Sequence, residues 1–333
     1  MELVLRRTQA SKLLELLDEV QFMQTDSRST DLQPLLEERF TRLDLSSIRQ
    51  KRIRITKDKV RRVLACEANF EANLRHPSPP TWQMLAGSIL DTLFTQFAVG
   101  QEIERPYDEA LAALVEGGDS VSSVESLHGL DAANRELVVR KVDEVANSMQ
   151  QQWPRTRSLA QFRLKFQDRI AIPMANGRLE LHGRPDLIAV FRTTADGSNP
   201  EGDTRPEQRS SKGRTHSAIL DAKSGVEHVE DAEDAVFYAA LEAMRSGSLP
   251  ALTGSYYLAS GEITTLVPTE ELMMNELDRI ENAVSKILRL TLGGIAVPSK
   301  CSYCSYCPIR ATCPEYEPES SGSHSELGGD GLE

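Results

Sequence analysis

The chain has no apolar run near the roughly 20 residues that span a bilayer, and it opens on a segment without the order of a secretory signal. Both absences point to a globular, cytosolic protein. Cysteine is sparse, with five in 333 residues. A cytosolic chain keeps its thiols reduced, so these five are not a disulfide framework. Positive charge is also short. The formal net charge is -12, which argues at first against a nucleic-acid partner, because phosphate binding wants a basic surface. No internal repeat is visible.

The charge is unevenly spread. After Pro314, Glu315, Glu317, Glu319, Glu326, Asp330 and Glu333 meet no Lys or Arg, so residues 315–333 read as a disordered acidic tail. The segment from Lys51 to Arg62 is the reverse, with Lys51, Arg52, Arg54, Lys57, Lys59, Arg61 and Arg62 against Asp58 alone. It reads equally as a phosphate track or as a solvated helix face.

Residues 1–55 read as a polar, helical N-terminal extension. Thr56 is a candidate N-cap for a helix through Val60, Val63, Leu64 and Phe70 that carries Cys66, and the prolines at 77, 79 and 80 end it. Leu85, Ile89, Leu90, Leu93, Phe94 and Phe97 recur at helical spacing with Asp91 among them. Residues 101–153 read as a helical insertion. From Arg163 the pattern turns to strands: alternation over 163–172 and from Arg178, then the apolar run from Leu187. A flexible, polar insertion over 192–216 is followed by a strand ending near Lys223, a helix from Asp234, two strands meeting at Ser260 and Gly261, and a helix from the cap Thr269 to about Leu290. Trp82 and Trp153 fit the core better than a base-stacking platform. This order predicts an α/β domain with a mixed sheet flanked by helices.

Two clusters carry chemistry. Asp186 heads the apolar strand, and Asp221 and Lys223 end the next one. Residues two apart on a strand share a face, so Asp221 and Lys223 project together, and antiparallel pairing of the two strands brings Asp186 to the same edge. Convergent carboxylates repel unless a cation separates them, and hard oxygen ligands suit Mg²⁺ or Mn²⁺. The chemistry that follows is phosphodiester hydrolysis, with Asp186 and Asp221 as ligands and Lys223 offsetting charge in the transition state. A hairpin with ordinary edge charges is the plainer alternative. His182 stands four residues before Asp186, as a cleft residue or as a hydrogen-bonded strand histidine. The second cluster is Cys301, Cys304, Cys307 and Cys313 in a loop with Pro308 and Pro314. Chemistry alone makes these four a zinc site.

With Asp186, Asp221, Lys223 and the cysteines in this order, residues 56–314 resemble the PD-(D/E)xK nuclease superfamily, in particular its RecB-like branch, which includes CRISPR-associated RecB-type exonucleases and the AddB nuclease domain. The resemblance implies a restriction-endonuclease-like fold with an added helical subdomain. It also implies a metal-dependent nuclease acting on single-stranded or free-ended DNA, in repair, recombination or defence. The branch's Gly-x-x-x-His metal helix is matched by Gly87 and Asp91, and its Gln-x-x-x-Tyr helix by Asp234 and Tyr238, with aspartate replacing histidine and glutamine. Its glutamate before Pro-Asp has no counterpart between Gln161 and Asp168. These departures keep open a catalytically weakened DNA-binding or scaffold subunit of a helicase-nuclease or defence complex. The branch's iron-sulfur ligands, one remote cysteine plus Cys-x2-Cys-x5-Cys, are matched by Cys66, Cys304, Cys307 and Cys313. A [4Fe-4S] cluster there would clasp over 301–313 and close a loop of more than 200 residues. A zinc-stabilised interaction protein of other ancestry is the remaining alternative.

Overall fold

The structure, a computed structural model, describes residues 10–22, 31–43, 45, 52–117, 121–153, 162–193 and 214–316. The acidic tail expected over 315–333 lies outside them apart from its first two residues, as do Lys51 and the centre of the expected flexible insertion, 194–213.

The N-terminal segment folds into α1 (Ala10–Phe22) and α2 (Leu32–Thr41), each with one apolar face. Leu13, Leu16, Leu17 and Val20 of α1 join one core, and Leu32, Leu36 and Phe40 of α2 join a second. After a short strand, β1 (Ile53–Ile55), the region expected as one helix forms two, α3 (Lys57–Ala65) and α4 (Glu67–Arg75). The break is at Cys66, whose backbone is extended at φ -162°, ψ 112°, and whose Sγ accepts from Asn69 N as the cap of α4. The apolar periodicity continues across this joint, which is why the sequence pattern does not reveal it. Thr56 caps α3 as expected, its side chain accepting from Lys59 N.

Four helices follow: α5 (Trp82–Ala98), α6 (Pro106–Gly117), α7 (Val121–His128) and α8 (Ala132–Gln152). Leu85, Ile89, Leu90, Leu93 and Phe94 of α5 meet Val138, Val142, Val145 and Met149 of α8 in the first core. Trp82 and Trp153 pack against that core, with Trp153 edge-on to Phe94 at a centroid distance of 5.1 Å.

The expected alternating strand over 163–172 is two strands, β2 (Arg163–Phe166) and β3 (Ile170–Met174), in different sheets. Gln167 between them has φ 47°, a left-handed conformation that turns the chain out of the first sheet. The others are β4 (Leu179–Gly183), β5 (Leu187–Thr193), β6 (Arg214–Lys223), β7 (Leu252–Tyr257) and β8 (Ile263–Leu266). Strands β5 and β6 thus extend two or three residues into each end of the insertion expected over 192–216. The protein is a mixed α/β structure with two mixed sheets where one was expected, ordered β1-β4-β3 and β2-β5-β6-β7-β8. Strands β5 and β6 are antiparallel, and β6 and β7 are parallel.

The five-stranded sheet separates the two cores by simple alternation. Leu187, Ala189, Ala218 and Leu220 face α5 and α8, whereas Ile188 and Ile219 face the second core. There lie α9 (Val229–Ser246) and α10 (Glu270–Thr291). Leu277, Ile280, Val284 and Ile287 line the buried face of α10. Each contributes about 1.5–3 kcal/mol by leaving water.

Candidate active site and cysteine loop

The antiparallel register pairs Leu187 with Leu220, so Asp186 and Asp221 stand opposite each other at the end of the β5–β6 pair. Both are buried. Asp186 Oδ2 accepts the Ala222 N–H at 2.7 Å, which fixes its carboxylate against β6. Asp221 and Lys223 share a face, as period-two geometry requires, and the Lys223 ammonium lies 2.9 Å from Asp221 Oδ2.

Helix α9 adds carboxylates to this edge. Lys223 Nζ lies 2.9 Å from Asp234 Oδ2 and 3.1 Å from Asp231 Oδ1. Asp231 also accepts from the Tyr257 hydroxyl and from His228 N, both at 3.0 Å. Tyr238, one turn after Asp234, is buried, and its hydroxyl donates to Arg184 O at 3.3 Å. Gly183 makes room for this ring: a Cβ there would come within 2.8 Å of Tyr238 Cε1 and 2.6 Å of Leu241 Cδ1.

Two members arrive from α3. Lys57 Nζ lies 2.8 Å from Asp221 Oδ2, and the Arg61 guanidinium is 3.8 Å from Asp234 Oδ2. Asp91 of α5 is near enough for its charge to act on Asp186 and to feel Asp221, and its backbone carbonyl accepts from Gln167 Nε2 at 3.4 Å.

The electrostatics express this crowding. Burial raises the Asp186 carboxyl well above the usual range, and the charges of Asp221 and Asp91 raise it further. Asp91 is pushed up to about 6 by burial and by Asp221. Burial acts on Asp221 in the same sense, but the Lys57 and Lys223 ammonium groups outweigh it and hold this carboxylate well below the ordinary range. Lys223 is raised above the usual lysine value because Asp221 and Asp234 outweigh the cost of its burial.

The other expected residues lie elsewhere. His182 is on β4, in the three-stranded sheet, where burial and nearby Arg54 lower its pKa. Much of the basic segment is turned to internal partners. Arg52 and Arg54 pair with the buried Glu180 at 2.6 and 3.2 Å, Arg62 pairs with Asp58 at 3.0 Å, and Lys59 donates to Arg54 O at 2.9 Å. Lys57 and Arg61, grouped in the sequence with a phosphate track, stand among the site carboxylates. Asp231 had no place in the sequence reading; its one signal is its position three residues before Asp234, on the same helix face.

The cysteines form a second centre. Cys66, Cys304, Cys307 and Cys313 line one cavity with Asn69, Ser299 and Arg310, and Cys301 is not part of its lining. Ser299 N donates to Cys66 Sγ at 3.3 Å, and Cys301 N donates to Cys304 Sγ at 3.3 Å. The loop is tied back to the body of the protein by the buried Glu67, which accepts from Val297 N at 3.0 Å and pairs with Arg289.

Among the described residues, no three His, Cys, Asp or Glu side chains stand close enough together to hold a metal ion as they are. In donor chemistry both centres suit one. The carboxylate centre offers hard oxygens, and Asp234 Oδ1 is buried there without a hydrogen-bond partner. The cysteine centre offers four thiols on one cavity, a donor set that serves iron-sulfur clusters and zinc alike. Among the described residues, no helix is long and apolar enough to cross a membrane. No family model and no curated protein sequence matches the chain.

Proposed function

We propose that the chain is a metal-dependent nuclease that hydrolyses phosphodiester bonds in DNA, with Asp186, Asp221 and Lys223 at its centre. The observation that carries the reading is the meeting of Asp186 and Asp221 across β5 and β6 with the Lys223 ammonium 2.9 Å from Asp221. Asp186 and Asp221 would hold a divalent ion with Asp91 beside them, and the bound ion would polarise the phosphate and acidify a water. The residues' own contributions follow from their surroundings. Ala222 N fixes Asp186, and the low pKa of Asp221 keeps it ionised as a ligand. Lys223 remains protonated, so it is suited to stabilise charge that builds on a phosphate oxygen rather than to remove a proton. Asp231 and Asp234 hold it in place from α9.

Cys66, Cys304, Cys307 and Cys313 are proposed as the ligands of a [4Fe-4S] cluster with a clasping role. Their shared cavity supports this set, and Cys301 stands beside it in hydrogen-bond contact with Cys304.

Free-ended or single-stranded DNA is the proposed substrate class, from the resemblance to the RecB-like branch. The test is cleavage of end-labelled DNA with Mg²⁺ or Mn²⁺ by the native chain and by Lys223→Ala. Loss of cleavage with an unchanged far-UV spectrum is expected. Equal cleavage by both would sink the assignment. A second reading, a DNA-binding subunit with a weakened site, is favoured by the placement of Lys57 at Asp221, where an ammonium already partners a proposed ligand. DNA binding without cutting under several divalent metals would select it.

A further inference from the structure

Lys57 is the first residue of α3, immediately after the cap Thr56, and from there its side chain reaches into the carboxylate centre. Its ammonium lies 2.8 Å from Asp221 Oδ2 and 3.3 Å from Asp234 Oδ2, and 4.7 Å from the centroid of the Tyr238 ring. Lys223 reaches the same two oxygens, each at 2.9 Å. Two ammonium groups and two carboxylates therefore alternate around a closed ring. Asp221 and Asp234 are almost wholly buried, so their charges are met by these neighbours and not by water. Arg61, one turn further along α3, adds a more distant charge at 3.8 Å from Asp234 Oδ2.

This arrangement has a consequence for any cation that seeks the same carboxylates. A fixed positive charge a few ångströms from a ligand oxygen repels an incoming divalent ion and occupies part of the ligand's hydrogen-bonding capacity. Opposite charges at such range move carboxylate pKa values by about 1–3 units, roughly a tenfold to thousandfold change in proton affinity, and a divalent cation feels the same repulsion in the same sense.

We infer that Lys57 is a second lysine of the site, a positioning residue that shares Asp221 and Asp234 with Lys223 and thereby sets how tightly the site takes a divalent cation. The inference rests on the nuclease reading above. It also gives the extra acid of α9 a place: the buried Asp234 carboxylate brings a charge that Lys57 and Lys223 jointly offset.

The experiment measures Mn²⁺ binding directly, by the electron paramagnetic resonance signal of the free ion, on the full chain without DNA. Native protein, Lys57→Met and Lys57→Arg are compared after thermal unfolding has shown each to be folded, with Lys57→Gln in place of the methionine variant where that one fails to fold. Removal of the charge is expected to tighten Mn²⁺ binding by about tenfold or more, and arginine is expected to restore the native affinity. Unchanged or weaker binding in the uncharged variant would overturn the role given to Lys57, as would an arginine variant that behaves like methionine. Those results would leave the nuclease reading standing. Absence of Mn²⁺ binding in all the proteins would instead remove the metal site itself, and the role of Lys57 with it.

Discussion

Glu276 on α10 offers a test of the electrostatics that is independent of any activity. Its side chain is 3% exposed and pairs with Arg279, whose Nε lies 2.8 Å from Glu276 Oε2, while a second Arg279 nitrogen lies 2.8 Å from Glu233. Burial pushes the carboxyl up, Arg279 pulls it partly back, and Glu233 and Asp234 push it up again, so that it titrates at about 7 where an unfolded chain titrates near 4.5. Between those two pH values the folded state keeps a proton that the unfolded state has released. Stability therefore falls as pH rises through the interval, is undiminished below it and is reduced by the full amount above it. At about 1.4 kcal/mol per pH unit, the loss across the interval is roughly 3 kcal/mol. Glu276→Gln keeps the shape, cannot ionise and leaves Arg279 its contact with Glu233. Denaturant unfolding of both proteins from pH 4 to pH 8 isolates the effect as a difference, because every other titrating group acts on both. The variant is expected to gain on the native protein steadily as pH rises. Parallel curves across the interval would show that Glu276 is ionised when folded and that its burial is matched by Arg279.

Three further outcomes are expected. Gly254→Ala would place a Cβ 2.9 Å from Thr265 Cα and closer still to Thr264 O, so β7 and β8 must part; a loss of about 1–3 kcal/mol or more in denaturant unfolding is expected, and a neutral effect would refute the close approach. Ile280→Ala, at a position with no exposed surface, is expected to cost about 2–5 kcal/mol in the same assay, and a loss under about 1 kcal/mol would contradict its place in the second core. For the cysteines, Cys66→Ser is expected to lower the iron content and visible absorption of protein purified without oxygen, while Cys301→Ser leaves both intact. The reverse pattern would return the site to the four local cysteines.

What the sequence made legible follows local periodicity. Asp221 and Lys223 share a face because strand residues alternate, and Asp186 meets them because the two apolar strands pair antiparallel with Leu187 opposite Leu220. The long amphipathic helix after Thr269 is equally readable, since each apolar position of its stripe is buried. Lys57 was not legible as a site residue, because a run of basic residues says nothing of which carboxylates lie across a fold until the fold is known. Alternation hid the turn at Gln167, since residues on both sides continue the same pattern while entering different sheets. Cys66 concealed a joint for a related reason: helical spacing survives a single extended residue, and a sulfur serving as a cap carries no familiar sequence mark.

Helix α3 has nine residues, with Lys57 at its first position and Cys66 as the residue that closes it. At about 1.5 Å per residue the two ends are roughly 13 Å apart. The helix is thus a spacer of fixed length and fixed phase between the carboxylates and the thiols. Adding or removing one residue within it would change its length little, but would rotate one end against the other by about 100°. Lys57 would then swing away from Asp221, or the sulfur away from its cavity. The number of residues between the two centres is therefore held by both of them at once.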